Sequence, residues 1–383
     1  MDRKYDFLIV GAGLYGATLA RALTDRGYKV LVAERRDHIA GNAYTEDVDG
    51  VCVHVYGAHI FHTDNEEVWE FLNRFADFND FRNQPKAFYK GRFYSLPFNM
   101  NTFHELWGVT DPEEAKKVIA VQIAEAGLGG RAPSNLEEQA ISLVGRDVYE
   151  TLVKGYTEKQ WGRPCRELPA SIIRRIPVRY EYNNDYFDDK YQGIPTDGYT
   201  EMIRRMLEGI DVLTGTDFLS KDVRSELEAA AERIIYSGQI DEYFDYCYGP
   251  LEYRSLSFET ETVPAENGML QDRAVINFTD ADVPWTRIIE HKHFACDKDL
   301  PADGDESVIT REYPAAWEPG REAFYPVRDD LSLARLEKYL SLASRSNIWF
   351  GGRLGSYRYM DMDDAAAAAL EDARKLASDK TGK

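Results

Sequence analysis

Cysteine is scarce in this chain. The four residues Cys52, Cys165, Cys247 and Cys296 stand far apart in 383 positions, with no CxxC pair. That excludes a disulfide scaffold and a cysteine-rich metal knuckle, and leaves scattered buried thiols as the expectation. Long apolar runs are missing too. None reaches the roughly 20 residues of a membrane span, and no leader-like segment precedes the first strand, so no membrane insertion and a cytoplasmic location are expected. Positive charge is in deficit: 46 Lys and Arg face 66 Asp and Glu, a formal net charge of −20. This argues against nucleic acid and anionic membrane as partners. An anionic substrate would need a local cationic pocket set against that field. There is no HExxH metal spacing and no GxSxG nucleophile elbow. His291-Lys292-His293 comes nearest to a chelating pair and reads as solvated strand residues, so no metal is expected. With neither motif present, the chemistry is expected to belong to a cofactor.

What is present is concentrated first in Tyr5–Glu34, YDFLIVGAGLYGATLARALTDRGYKVLVAE. Phe7–Val10 reads as a buried strand. It runs into Gly11-Ala12-Gly13-Leu14-Tyr15-Gly16, then a helical pattern closed near Gly27, then a second strand, Lys29–Ala33, that ends on Glu34. This is a βαβ unit with a dinucleotide fingerprint. Gly11 permits the tight turn, Gly13 lets backbone approach a pyrophosphate, and Gly16 lets helix and strand pack closely. The helix N-terminus offers unpaired N–H groups to the phosphates. Glu34 falls about 20 residues on, where a carboxylate binds ribose hydroxyls. An acid there disfavours a 2′-phosphate, so FAD or NAD is expected rather than NADP. The fold class is α/β.

Further along, Gly41-Asn42 fits a turn beside a bound cofactor. Gly57-Ala58-His59-Ile60-Phe61-His62-Thr63 puts two histidines where they could face a flavin ring. Asn65–Phe75 reads as a helix and Phe81–Pro97 as a hairpin turning at Lys90-Gly91. Asp111-Pro112 opens a helix through about Glu125, and Ser134–Glu137 is a capping box for another that Gly145 ends. Residues 101 to 160 thus form a helical insertion. Strand-like sequence returns after 171, with further strands at Val212–Thr214, Arg233–Ser237, Tyr243–Phe258 and Ala274–Phe278. Tyr199–Leu207 reads as a helix, Asp297–Asp305 as a loop, and Asp363–Ala377 as a closing Ala-rich helix.

Three clusters carry candidate chemistry. Lys154–Gly162 passes from helix to a glycine-flanked Trp161, the pattern of a mobile lid. Arg174, Arg175 and Arg179 interleave with Tyr180, Tyr182 and Tyr186, which suits a diphosphate. Gly351-Gly352-Arg353, leading to Tyr359, Asp361 and Met362, can bring backbone and a guanidinium to a cofactor pyrophosphate.

Six stretches in order and spacing, GAGLYGATLA, GAHIFHT, KGYTEKQWG, RRIPVRY, DVPWTRIIEHK and GGRLGSYRYMDMD, carry a resemblance that runs from end to end: the chain resembles the bacterial UDP-galactopyranose mutases. The resemblance implies non-covalently bound FAD, active when reduced, and interconversion of UDP-galactopyranose and UDP-galactofuranose. The ring contraction would pass through a covalent adduct of flavin N5 with the anomeric carbon and supply galactofuranose for cell-surface glycans. It implies a discontinuous Rossmann-like FAD domain (residues 1–80, 191–242 and 317–383) and a helical domain with the lid (101–162). An antiparallel sheet domain (81–100, 163–190 and 243–316) and a homodimer complete the expectation. Arg175 and Arg287 would bind the diphosphate, with Tyr186, Tyr325 and Tyr359 donating to it; Tyr156 would stack on uracil with Thr157 beside it. Trp161 would sit near the sugar, with Asn83, Asn277 and Asp361 around it, and His62 would join the two arginines in catalysis. Gly11, Gly13, Leu14, Gly16, Glu34, Arg35, Gly41, Asn42, His59, Ile60, Arg353, Tyr359 and Met362 would hold FAD. Two departures stand out: Ala40 replaces a common glycine, and Leu152-Val153 replaces aromatics that some members carry near the uracil. Rival readings are a flavin oxidase of the amine-oxidase type, which would want an apolar channel in place of arginines, and a non-enzymatic UDP-sugar sensor.

Overall fold

The computed structural model describes residues 4–128, 130–173, 177–294 and 305–381. Tyr5–Val10 lies at the centre of a five-stranded parallel sheet. Its neighbours are Ala231–Tyr236 on one side, followed by Ile348–Phe350, and Val30–Ala33 on the other, followed by Asp211–Leu213. Helices cover both faces, so the central strand has no wet side, and Phe7, Leu8 and Ile9 are all fully buried. This is why the strand reads as a continuous apolar run. Burial of each such side chain stabilises the fold by roughly 1.5–3 kcal/mol. On one face Leu14–Thr24 packs against the closing helix Met362–Thr381. Ala366, Ala369 and Ala373 form the buried stripe of that helix, small enough for close approach. Lys221–Ala230, through Leu227, covers the other face.

A second sheet of seven strands runs Tyr325–Pro326, Tyr253–Pro264, Glu306–Ala316, Arg287–Glu290, Val275–Phe278, Lys86–Tyr89 and Arg92–Ser95. All its pairings are antiparallel except Val275–Phe278 with Lys86–Tyr89. Beyond the hairpin lie the helices Met100–Trp107, Pro112–Glu125, Leu136–Val148 and Lys154–Trp161, packed on a separate apolar cluster. Among the described residues no helix is long and apolar enough to cross a membrane.

Several local expectations change. Leu136–Val148 is capped by Asn135, not Ser134, whose amide and hydroxyl both bond Glu138. Gly145 breaks that helix at φ +81 without ending it; Gln122 fills the kink and accepts from Asp147 N. A π-helical turn, Tyr149–Val153, then leads directly into Lys154–Trp161. Residues 177–190 form no strand. Their Asn and Asp side chains bond nearby backbone and each other instead: Asn183 accepts from Asp185 N, and Asn184 accepts from Asn99 and Asn101. Nor is Tyr243–Phe258 one strand. Ile240–Tyr243 is a helical turn, positive φ at Asp245, Tyr246 and Gly249 forbids an extended chain, and the strand begins only at Tyr253. Buried Asp241 stitches this turn by accepting from Leu251 N and the Tyr253 hydroxyl. His291-Lys292-His293 is no solvated strand but a 3-10 turn with His291 and Lys292 buried. Cys165 is buried as expected, whereas Cys247 is exposed. Cys296, the loop from Asp297 to Gly304, and both Arg174 and Arg175 lie outside the described residues.

Candidate active site

The carboxyl ends of the parallel strands, Val10, Ala33, Tyr236 and Phe350, lead into one cleft of about 1290 Å³, mouth included. Gly11, Gly13, Leu14, Gly16, Glu34, Arg35, Gly41, Asn42, His59, Arg353 and Met362 all line it. The glycines are there for space. A Cβ on Gly16 would lie 1.9 Å from the Gly11 carbonyl oxygen, and one on Gly11, at φ +106, would lie 2.2 Å from Ser237 Oγ. Gly13 caps Leu14–Thr24 with no side chain, so the first-turn N–H groups open toward the cleft. Glu34 is buried, with one oxygen accepting from Ala12 N at 2.7 Å and the other from Arg36 N at 2.9 Å. Each oxygen keeps lone-pair capacity for a ribose hydroxyl. Arg36 lies over the Tyr56 ring and bonds Asn42 and Glu322, and its Nη1 is buried without a partner. An uncapped helix end, a Cβ-free cradle and an unpaired cationic nitrogen suit a dinucleotide. Ala40, the departure from glycine, holds φ +76 while fully buried. That left-handed conformation costs alanine about 1–2 kcal/mol.

A second group stands on the seven-stranded sheet. Register pairs Asn277 with Arg287, and Arg287 with Glu312, so three polar residues form a row on one face. Arg287 Nε donates to Glu312 Oε2 at 2.9 Å, Nη2 lies 2.7 Å from the same oxygen as an ion-pair contact, and Glu312 is 1% exposed. Burial opposes the guanidinium charge, but Glu312, Tyr156 and Tyr325 outweigh it and raise the Arg287 pKa. The Nε–H is spent on Glu312, which leaves N–H groups of the two Nη atoms for a ligand. Asn277 Oδ1 is buried with no partner. Tyr156, Tyr186 and Tyr325 surround Arg287, with Tyr359 beyond Tyr325 and 47% exposed. Burial raises the pKa of the first three and that of Tyr359 is raised too, so each is a neutral donor at pH 7. Asp361 lies within electrostatic reach of Tyr186, Tyr325 and Tyr359. Tyr325 stacks on Tyr359 at 6.2 Å and under Arg353. Asn83 is buried, and its carbonyl accepts from Tyr186 N. Thr157 is buried in the Tyr156 helix.

His59 joins the two groups. Gly57, at φ +95, leaves no room for a Cβ beside Glu312 and Phe258, and so lets this turn settle on the Arg287–Glu312 pair. The His59 ring bonds the Gly57 carbonyl at 2.7 Å and feels both Arg353 and Arg287. Desolvation, seconded by those two cations, brings its pKa down to about 4 despite that carbonyl, so the ring is neutral. Behind it, His59 N donates to His54 Nδ1 and His54 N to His291 Nδ1.

Other expected residues lie elsewhere. His62 stacks on Phe187 at 3.6 Å and bonds Asp189 through Nδ1, and it is not among the residues lining the cleft. Ile60 packs into the main apolar core. Arg179 is buried, bonding Asp188 and the Asp185 carbonyl, while Tyr182 is exposed. Trp161 ends its helix half-buried against the helical cluster, and the surrounding chain is fastened: Arg254 bonds the Gln160 carbonyl and Cys165 N bonds Glu158. Glu312, Arg36 and Glu322 went unnoticed in the sequence. Glu312 had a signal, since it alternates in phase with buried Val308 and Thr310. Among the described residues no cluster of His, Cys, Asp and Glu could hold a metal.

Comparison with known proteins adds to this. The UDP-galactopyranose mutase family model matches residues 151–359. A model of the NAD(P)-binding Rossmann-like domain matches residues 9–75. A Klebsiella pneumoniae protein named as a probable UDP-galactopyranose mutase is 44% identical over 386 aligned residues, covering 99% of this chain and 96% of that one. An Escherichia coli dTDP-fucopyranose mutase is 39% identical, covering 96% and 97%. A solved structure of reduced UDP-galactopyranose mutase superposes with a TM-score of 0.77 at 17% identity, covering 98% and 96%, which bears on the fold.

Proposed function

The chain belongs to the UDP-galactopyranose mutase family, and from that premise we propose that it interconverts UDP-galactopyranose and UDP-galactofuranose with reduced FAD in its cleft. The observation that carries the proposal is the Arg287–Glu312 pair, its carboxylate buried and its guanidinium partly exposed, ringed by Tyr156, Tyr186 and Tyr325 and joined through His59 to the dinucleotide cleft. An amine oxidase has little use for such a cation at this place.

On this reading Arg287 holds the departing and returning diphosphate through the Nη N–H groups that Glu312 does not take. Glu312 fixes the fork's orientation, and Arg175 adds a second cation. Neutral Tyr186, Tyr325 and Tyr359 donate to phosphate oxygens without adding negative charge. Tyr156 carries the uracil, and Asn277 Oδ1 accepts from a sugar hydroxyl, with Asn83 and Asp361 nearby. Glu34, Arg353 and the Gly11–Gly16 turn hold the cofactor. Bound and reduced, the flavin supplies a nucleophile, N5, for the anomeric carbon. The chain's share is position, charge and exclusion of water, with Trp161 closing over the sugar. His59 stays neutral and adds no charge beside the arginines. The division into FAD, helical and sheet domains, a cytoplasmic homodimer, and a furanose product feeding cell-surface glycans belong to the same proposal.

The 39% identity to a dTDP-fucopyranose mutase favours a second reading, in which the same ring contraction acts on another sugar nucleotide. Incubation with UDP-galactofuranose and, separately, dTDP-fucofuranose under dithionite tests both. Faster formation of UDP-galactopyranose, without hydrogen peroxide, is expected. Preference for the fucosyl donor would transfer the assignment, and turnover of neither would overturn it.

A further inference from the structure

Lys159 is the least expected cation in the molecule. It sits on the Lys154–Trp161 helix, and its ammonium donates to the backbone carbonyls of Phe278, Asp280, Val283 and Trp285, all at 2.8–2.9 Å. Three donors serve four acceptors, so at least one N–H is shared. Burial pulls its pKa down to about 8, with Asp280 pushing it back up, and the ring of carbonyl dipoles also favours the charged form. Those carbonyls belong to the loop that leaves Asn277 and returns at Arg287. Two neighbours in the chain meet the same loop. A Cβ on Gly155 would lie 2.2 Å from the Thr279 carbonyl oxygen, and Thr279 Oγ1 donates to the Thr151 carbonyl at 2.7 Å. Residues 155 and 159 lie four positions apart on one face of Lys154–Trp161, and Thr151 sits in the π-helical turn just before it.

A half-buried ammonium that meets four converging carbonyls fixes geometry in a way an apolar contact does not. We propose that Lys159 is a positioning residue for substrate: it sets the distance between the base site on Tyr156 and the diphosphate site on Arg287 by riveting one element to the other. This rests on the mutase reading of those two residues. Lys159 itself does not line the cofactor cleft, and its ammonium is taken up by the four carbonyls. The ligand class it serves is a nucleoside diphosphate, which must reach both sites at once, whereas a bare diphosphate needs only one.

The test compares UDP with inorganic pyrophosphate by titration calorimetry on FAD-loaded wild type, Lys159→Met and Lys159→Arg. In Lys159→Met, Kd for UDP should rise at least tenfold and KM for UDP-galactofuranose should rise with it. Kd for pyrophosphate and the flavin spectrum should stay within twofold of wild type. Lys159→Arg keeps the charge but cannot converge on four carbonyls with a planar fork. It should show the same split, smaller in size, and stands in should Lys159→Met fail to fold. Equal weakening of both ligands, or unchanged UDP binding in folded variants, would overturn the positioning role and leave Lys159 a stabilising contact alone. Wild type that binds no UDP would overturn the mutase reading itself, and this inference with it.

Discussion

Replacing Arg287 by alanine should have two separable consequences. The first falls on turnover. Losing a charge-assisted contact to a desolvated phosphate removes about 3 kcal/mol from the transition state, roughly a 150-fold loss in kcat/KM. The second falls on the fold, because Glu312, 1% exposed, is left without its guanidinium. Breaking a buried pair costs about 3–5 kcal/mol. Thermal melts referred to wild type measure that loss. Adding Glu312→Gln to Arg287→Ala should recover most of the lost Tm and none of the lost activity. If activity returned with stability, Arg287 would be scaffold and not a substrate contact. If the Tm deficit were untouched by Glu312→Gln, the pair would not be what supports this part of the sheet.

Gly16→Ala should purify without FAD, since its Cβ would lie 1.9 Å from the Gly11 carbonyl oxygen; flavin released on denaturation measures this, and stoichiometric FAD would refute it. The pKa of His59 is lowered to about 4 and that of His291 to about 3, both mainly by burial, so both are neutral when folded but charge in the unfolded chain below pH 6.5. Their contribution is intact above 6.5 and lost as pH falls toward the folded values, at about 1.4 kcal/mol per histidine per pH unit; removing His291 should flatten this limb of the Tm profile, and an unchanged limb would contradict it. In a protein retaining only Trp161 of its six tryptophans, saturating UDP should shift the emission, and an unchanged spectrum would count against a lid at this position.

The cofactor fold was legible because its requirements are local. Three glycines, a buried strand and a carboxylate at fixed spacing describe one βαβ unit, and Gly11, Gly13, Gly16 and Glu34 line one cleft. The sheet cluster was legible only in part. Glu312 meets Arg287 across a pairing 25 residues apart in sequence, and no short-range pattern announces that partner. The turn at Asp245 and Tyr246 looks like strand by composition, yet positive φ decides it. His291 looked solvated because its neighbours are polar, but its partners, Thr310 and the His54 amide, come from other strands. Lys159 sits in the Lys154–Gly162 motif beside Trp161, and its four carbonyls come together only once the loop between Asn277 and Arg287 is folded.

Under the mutase reading the flavin is used without net redox change. The direct measurement counts product turnovers per reducing equivalent, with anaerobic enzyme reduced by a known amount of dithionite and then given excess UDP-galactofuranose. Many turnovers to UDP-galactopyranose per electron pair, with the flavin still reduced at the end, is the predicted result. A ratio near one, with the flavin oxidised as product forms, would contradict it.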